Sequence, residues 1–62
     1  MITITFSTAN SAFEDDPHAE ISSILESIAQ NFIEGEYESN EHRKIYDSNG
    51  NSIGTLIIKE ET

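Results

Sequence analysis

The chain has no cysteine, no tryptophan, a single proline and, across its first 42 residues, not one lysine or arginine. Without cysteine there is neither a disulfide framework nor a thiolate metal site, a composition suited to a reducing cytoplasm. No apolar run approaches the length of a membrane span, and the start Met1-Ile2-Thr3-Ile4-Thr5-Phe6 lacks the basic segment of a secretory leader. The expectation is a soluble protein with no membrane partner. Phosphate loops, dinucleotide fingerprints and the basic-aromatic stripes of nucleic-acid binders are missing as well, and no cofactor is expected.

What is there is mostly acid. The 42 residues without a base hold nine of the twelve carboxylates, so the whole net charge of -9 sits in that part of the chain. Arg43, Lys44 and Lys59 offset Asp47, Glu60 and Glu61 in the remainder. A one-signed field repels nucleic acid and anionic lipid and speeds encounter with a positive surface. The expected partner is therefore a basic protein. At 62 residues the chain reads as one domain over 1–62, near the size at which only about 60% of the unfolded surface is buried and stability is marginal. Its hydrophobic fraction of 35% is low, yet patterned, which favours folding over disorder.

Ile2, Ile4 and Phe6 alternate with Thr3 and Thr5, the period of a half-buried strand, predicted over 2–7. Small and polar residues follow, with Phe13 expected to tuck back against the core. Asp16-Pro17 begins a helix predicted over 17–34: Asp caps the free N–H groups, Pro suits the first turn, and the neighbouring carboxylates suit the positive end of the dipole. Ile21, Ile24, Leu25, Ile28 and Phe32 recur at steps of three and four and form its buried stripe, while Glu20, Ser23, Glu26, Ser27, Gln30 and Glu34 face water. Gly35 supplies the left-handed residue that ends it.

A hairpin is predicted over 42–59, turning at Asp47-Ser48-Asn49-Gly50. Two registers compete. A two-residue turn at Asn49-Gly50 would pair Tyr46 with Ile53, whereas a type I turn with a Gly50 bulge pairs Ile45 with Ile53 and is preferred because two isoleucines then share a face. The predicted fold is α+β: a single β-α-β-β layer, its three-stranded antiparallel sheet in the order 1-3-2, with one helix packed on one face. One helix leaves the other sheet face open. Tyr46, Leu56 and Ile58 cannot all be covered, and an exposed apolar surface marks a contact site, with a homodimer as one solution.

Catalytic chemistry has little to stand on. His18, in the first helical turn, reads as a capping or packing residue, and His42 as an exposed one beside Glu41. Neither is linked to a nucleophile by triad logic, and so short a chain lacks the walls of a water-excluding pocket. Asp47, Asn49 and Asn51 alternate as in a calcium loop, but Ser52 and Ile58 stand where its sharp-turn Gly and bidentate Glu belong, so no metal site is expected. Turn chemistry accounts for the same residues.

The candidate binding residues are the acids themselves: Asp15 and Asp16 before the helix, Glu20, Glu26 and Glu34 along it, and Glu36, Glu38 and Glu41 after it. Ordinary surfaces mix signs for solubility. A run undiluted by lysine or arginine instead imitates the charge of a phosphate backbone, which a groove built for nucleic acid would accept.

The strand followed by Phe6-Ser7-Thr8-Ala9-Asn10-Ser11-Ala12-Phe13, the acidic Asp-Pro helix with Ile24-Leu25, and the closing Tyr46-Asp47-Ser48-Asn49-Gly50-Asn51-Ser52-Ile53-Gly54 resemble small acidic accessory proteins encoded by phages and prophages. The resemblance covers most of the chain, in turn and core residues. It implies a stoichiometric, non-enzymatic inhibitor of the anti-CRISPR class acting in the cytoplasm of an infected bacterial host, its partner a basic host protein such as a nucleic-acid-binding Cas subunit. Two other readings stand beside it: a homodimeric structural or regulatory module working through its sheet face, and an acidic antidote to a basic toxin.

Overall fold

Asp16 and Gly35 set the limits of the helix. In a computed structural model that describes residues 1–61, the Asp16 carboxylate accepts from the Ala19 N–H at 3.1 Å and Pro17 occupies the first helical position. At the other end Glu36 N–H donates to Asn31 C=O at 2.9 Å and Gly35 N–H to Phe32 C=O at 3.1 Å. That paired closure requires a left-handed residue, and Gly35 has φ +70°. The helix, α1, runs Pro17–Ile33. Before it, a short 3-10 turn at Ser11–Phe13 is held by the Asn10 side chain, which accepts from Ala12 N–H. The turn drives Phe13 into the core, 4% exposed.

Three strands, β1 (Ile2–Phe6), β2 (His42–Tyr46) and β3 (Ser52–Ile58), form one antiparallel sheet in the order β1-β3-β2. The α+β architecture and strand order are those expected from the sequence. Gly50, at φ +84°, donates its N–H to Asp47 C=O, and the Asp47 N–H donates to Asn51 C=O. Asn40 is the one non-glycine residue with positive φ among those described, so the Asn49-Gly50 turn, which needs positive φ at both positions, is excluded.

The register beyond the turn differs from the preferred one. Tyr46 lies opposite Ser52 but Ile45 lies opposite Gly54, not Ile53, so the ladder bulges at Ile53. Gly54 sits in a row between Phe6 and Ile45. A Cβ on it would lie 2.5 Å from the Phe6 Cα and 2.7 Å from the Phe6 Cβ, and would also strike the Thr5 carbonyl. No side chain fits there. The bulge gives that place to glycine and lets Ile53 turn toward the core as a partly buried residue.

The same register decides which sheet face is apolar. Opposed residues share a face, so Ile2, Ile4, Phe6, Gly54, Leu56, Ile58, Arg43 and Ile45 all lie on one side. The core of Phe13, Ile24, Ile28, Ile45 and Leu56 places α1 over that side. Leu56 is 1% exposed and Ile58 shares its face, which corrects the expectation that these two could lie on an uncovered apolar surface. The open face carries Thr3, Thr5, Thr55, His42, Lys44 and Tyr46, with Ile57 its single aliphatic residue. Threonine is both β-branched and hydrated, so this face can meet water without a cover.

The helix stripe is narrower than its spacing implied. Ile24 and Ile28 are buried, but Leu25 is 45% and Phe32 39% exposed. With Ile24 pointing inward and about 100° per residue, Leu25 and Phe32 lie about 80–100° to one side. They are the flank of the helix, not its base.

Candidate functional site

The same angular reading distributes the acids. Glu20, Glu34 and Glu26 fall about 40°, 80° and 160° from Ile24 on the side opposite Leu25. That side borders β2, because Glu20, Ser27 and Asn31 line a groove of about 360 Å³ together with Arg43, Ile45 and Tyr46. The helix therefore has an acidic flank toward β2 and a carboxylate-free flank toward β1. Glu36 and Glu38 are exposed in the connection after α1, and Asp15 and Asp16 are exposed at its opposite end.

The eight candidate acids are not equivalent. Asp16 is committed to the helix cap. Glu20 is half-buried and accepts from both the Ser48 N–H at 2.8 Å and the Ser48 hydroxyl at 2.9 Å, tying the first helical turn to the hairpin tip. Glu41 pairs with Arg43 at 2.9 Å. Hydrogen bonding to that guanidinium holds its carboxyl below the usual range, and Arg43 is raised in turn. Arg43 also lies 5.3 Å from the centre of the Tyr37 ring, which packs edge-on against Phe32 and accepts from the Asn31 side chain. Glu41 thus belongs to a clasp that closes the 36–43 connection over the core. Glu34, the residue that follows α1, accepts from the Gln30 side chain in its last turn. Glu26, Glu34, Glu36, Glu38 and Asp15 are left facing solvent with no salt bridge among the described residues, although the Glu36 charge lies near enough to Arg43 to help raise it.

Asp47 is the buried acid, 6% exposed. Burial alone would raise its pKa, but the Asn51 N–H, the Asn10 and Asn51 side-chain amides and the Asn49 N–H all donate to it, and together they hold it below the ordinary value. A folded value below the unfolded one adds stability above about pH 3.9, and that stability is lost as pH falls through the folded value. Protonating the other carboxylates relieves repulsion and acts the other way. The test is a difference: urea midpoints of the wild type and Asp47→Asn, followed from neutral pH down to pH 2, should converge below about pH 4. A gap independent of pH would show that the Asp47 charge contributes nothing.

These bonds also explain the calcium-like spacing, since Asp47 spends both carboxylate oxygens on the turn and on Asn10. Among the described residues no group of three His, Cys, Asp or Glu side chains could hold a metal ion, and no helix is long and apolar enough to cross a membrane. His18 and His42 are both exposed, one at the start of α1 and the other at the start of β2. The antiparallel path of the helix against β1 puts them at opposite ends of the molecule. The Asn10–Asp47 link was not legible, because an asparagine in a polar loop carries no mark of a partner 37 residues away. The Glu41–Arg43 pair, two residues apart at the mouth of β2, was there to be read. No protein-family model, curated protein or solved structure matches the chain.

Proposed function

We propose that the chain is a non-enzymatic inhibitor of the anti-CRISPR kind, which covers a basic nucleic-acid-binding surface of a host complex with an acidic face that mimics DNA. Its place of action is the cytoplasm of an infected bacterial host. The observation that carries this reading is the set of unpaired, exposed carboxylates at Glu26, Glu34, Glu36 and Glu38, grouped on the outer and β2-side arc of α1 and the connection that follows it. Asp15 extends the charge toward the other end of the helix. Glu41, Glu20 and Asp16 support it indirectly, by holding in place the elements that present the others.

Expression of the protein in bacteria whose CRISPR system targets a phage should restore plaque formation. Replacing Glu26, Glu34, Glu36 and Glu38 together by Gln should abolish that protection while leaving the unfolding midpoint near that of the wild type. Exposed charge pairs are screened over roughly 8 Å at physiological ionic strength. Association with an isolated effector complex should therefore slow with added salt, and slow further in the quadruple variant. Plaque counts that do not change with any effector type would remove the anti-CRISPR reading. An on-rate insensitive to both salt and the four substitutions would reduce the acids to a solubility feature.

A further inference from the structure

Met1 C=O accepts from Lys59 N–H at 2.8 Å, and Ser7 N–H donates to Ile53 C=O at 3.0 Å. In an antiparallel ladder the inward-bonding residues alternate with outward-facing ones. Thr3 and Thr5 therefore also bond to β3, and Ile2, Ile4 and Phe6 point their N–H and C=O groups away from the sheet. No strand pairs with that side of β1 among the described residues. Proteins usually guard such an edge with lysine, proline, a bulge or a very short strand. The β2 edge is guarded in this way, by Arg43, Lys44 and the bulge beside Ile45. The β1 edge has none of these guards over Ile2–Phe6, and its side chains carry no charge.

We propose that a second copy of this chain pairs with the first along β1, antiparallel and centred on Ile4, to give a continuous six-stranded sheet. The register follows from the edge itself. With Ile4 opposite Ile4 of the second copy, Ile2 falls opposite Phe6, so every outward N–H and C=O of one edge meets its counterpart on the other. Side chains agree with the backbone. Ile2 and Ile4, 54% and 39% exposed on the helix side, gain Phe6 and Ile4 of the second copy as neighbours on the same face. Thr3 meets Thr5 on the open face, a favoured cross-strand pair.

Charge selects the occupant. The flank of α1 that overlooks β1 presents His18, Ile21, Leu25, Ala29 and Phe32 and no carboxylate: Glu20 and Glu34 lie on the β2 flank and Glu26 on the outer face. A partner recruited by charge finds none here, whereas two chains of charge -9 can meet at this edge with their acids turned away from each other. This pairing is independent of the acidic-face reading and leaves that face outward on both copies.

Sedimentation of the full chain over a rising micromolar concentration series should show a dimer mass, and added salt should favour it because residual repulsion is screened. Hydrogen exchange supplies the second readout. At dimer concentration the Ile4 amide should become as slow as those of Thr3 and Thr5, and on dilution it alone of the three should turn fast. Ile4→Lys should return the monomer mass. If that variant fails to fold, a synthetic chain with an N-methyl group on Ile4, whose amide bonds nothing within the protomer, should do the same. A monomer mass at every concentration and salt would overturn the proposal and leave the edge to an extended segment of another protein. A dimer in which the Ile4 amide exchanges fast, or survives N-methylation, would overturn it equally, since its interface would lie elsewhere.

Discussion

Alanine at Gly54 should leave the chain largely unfolded. A methyl group there meets the Thr5 carbonyl and the Phe6 backbone, with 2.5 Å to the Phe6 Cα, and backbone cannot move aside by changing rotamer. β1 must shift away from β3, and β3 is its sole partner in the sheet among the described residues. Overpacking of a tight interior typically costs about 1–3 kcal/mol and more where nothing yields. A single core in a chain of this length rarely supplies more than about 3–5 kcal/mol in all. Far-ultraviolet circular dichroism and urea unfolding of Gly54→Ala provide the measurement. A cooperative transition at the wild-type midpoint would mean that β1 and β3 are not packed as closely as described.

Leu56→Ala should be nearly as damaging, and Leu25→Ala should not. The two side chains have the same chemistry, but Leu56 is 1% exposed beneath the helix and Leu25 is 45% exposed on its flank. Removing a fully buried leucine costs about 2–5 kcal/mol, the transfer term plus the cavity it leaves. For Leu25 most of the transfer term is absent, and alanine is at least as good a helix former, so a loss of about 1 kcal/mol or less is expected. Thermal or urea unfolding at low protein concentration, where association does not contribute, separates the two. Equal losses would place Leu25 in the core and not on the flank of α1.

That contrast marks how far the residues alone could be read. Local signals were strong: Asp16-Pro17 and Gly35 bound the helix because each supplies what only a helix end needs, a side-chain acceptor, a residue with no N–H to satisfy and a left-handed backbone, and Gly50 fixes the turn through its positive φ. The strand order followed from the antiparallel path of a helix and a tight hairpin. The bulge at Ile53 was not legible, because an alternating pattern counts residues and cannot show that one has been skipped. Gly54 carried the signal, being an isolated glycine inside a strand. Everything downstream of that one residue shifted with it, including the face of Leu56 and the apolar character of the open sheet. Helical spacing likewise put Leu25 and Phe32 on the stripe without saying which side the sheet would cover. The acids were legible as a set, but Glu41 and Glu20 proved to be bound within the fold, through contacts with Arg43 and Ser48.

The order β1-β3-β2 also dictates a sequence in time. β2 and β3 are neighbours along the chain and can zip from the Asp47–Gly50 turn within microseconds. β1 has no place to go until β3 has been made, because β3, its partner among the described residues, lies some fifty residues downstream, with Ile2 opposite Ile58 and Phe6 opposite Gly54. On the ribosome β1 is made well before its partner, and waits with its Ile-Thr-Ile-Thr-Phe run exposed until β3 has cleared the exit tunnel. Closing so distant a contact is the slow step of such a topology. The carboxylates of the intervening helix and loop keep nascent chains apart during that wait, so the charge that dominates the composition is useful before the protein has any surface to present.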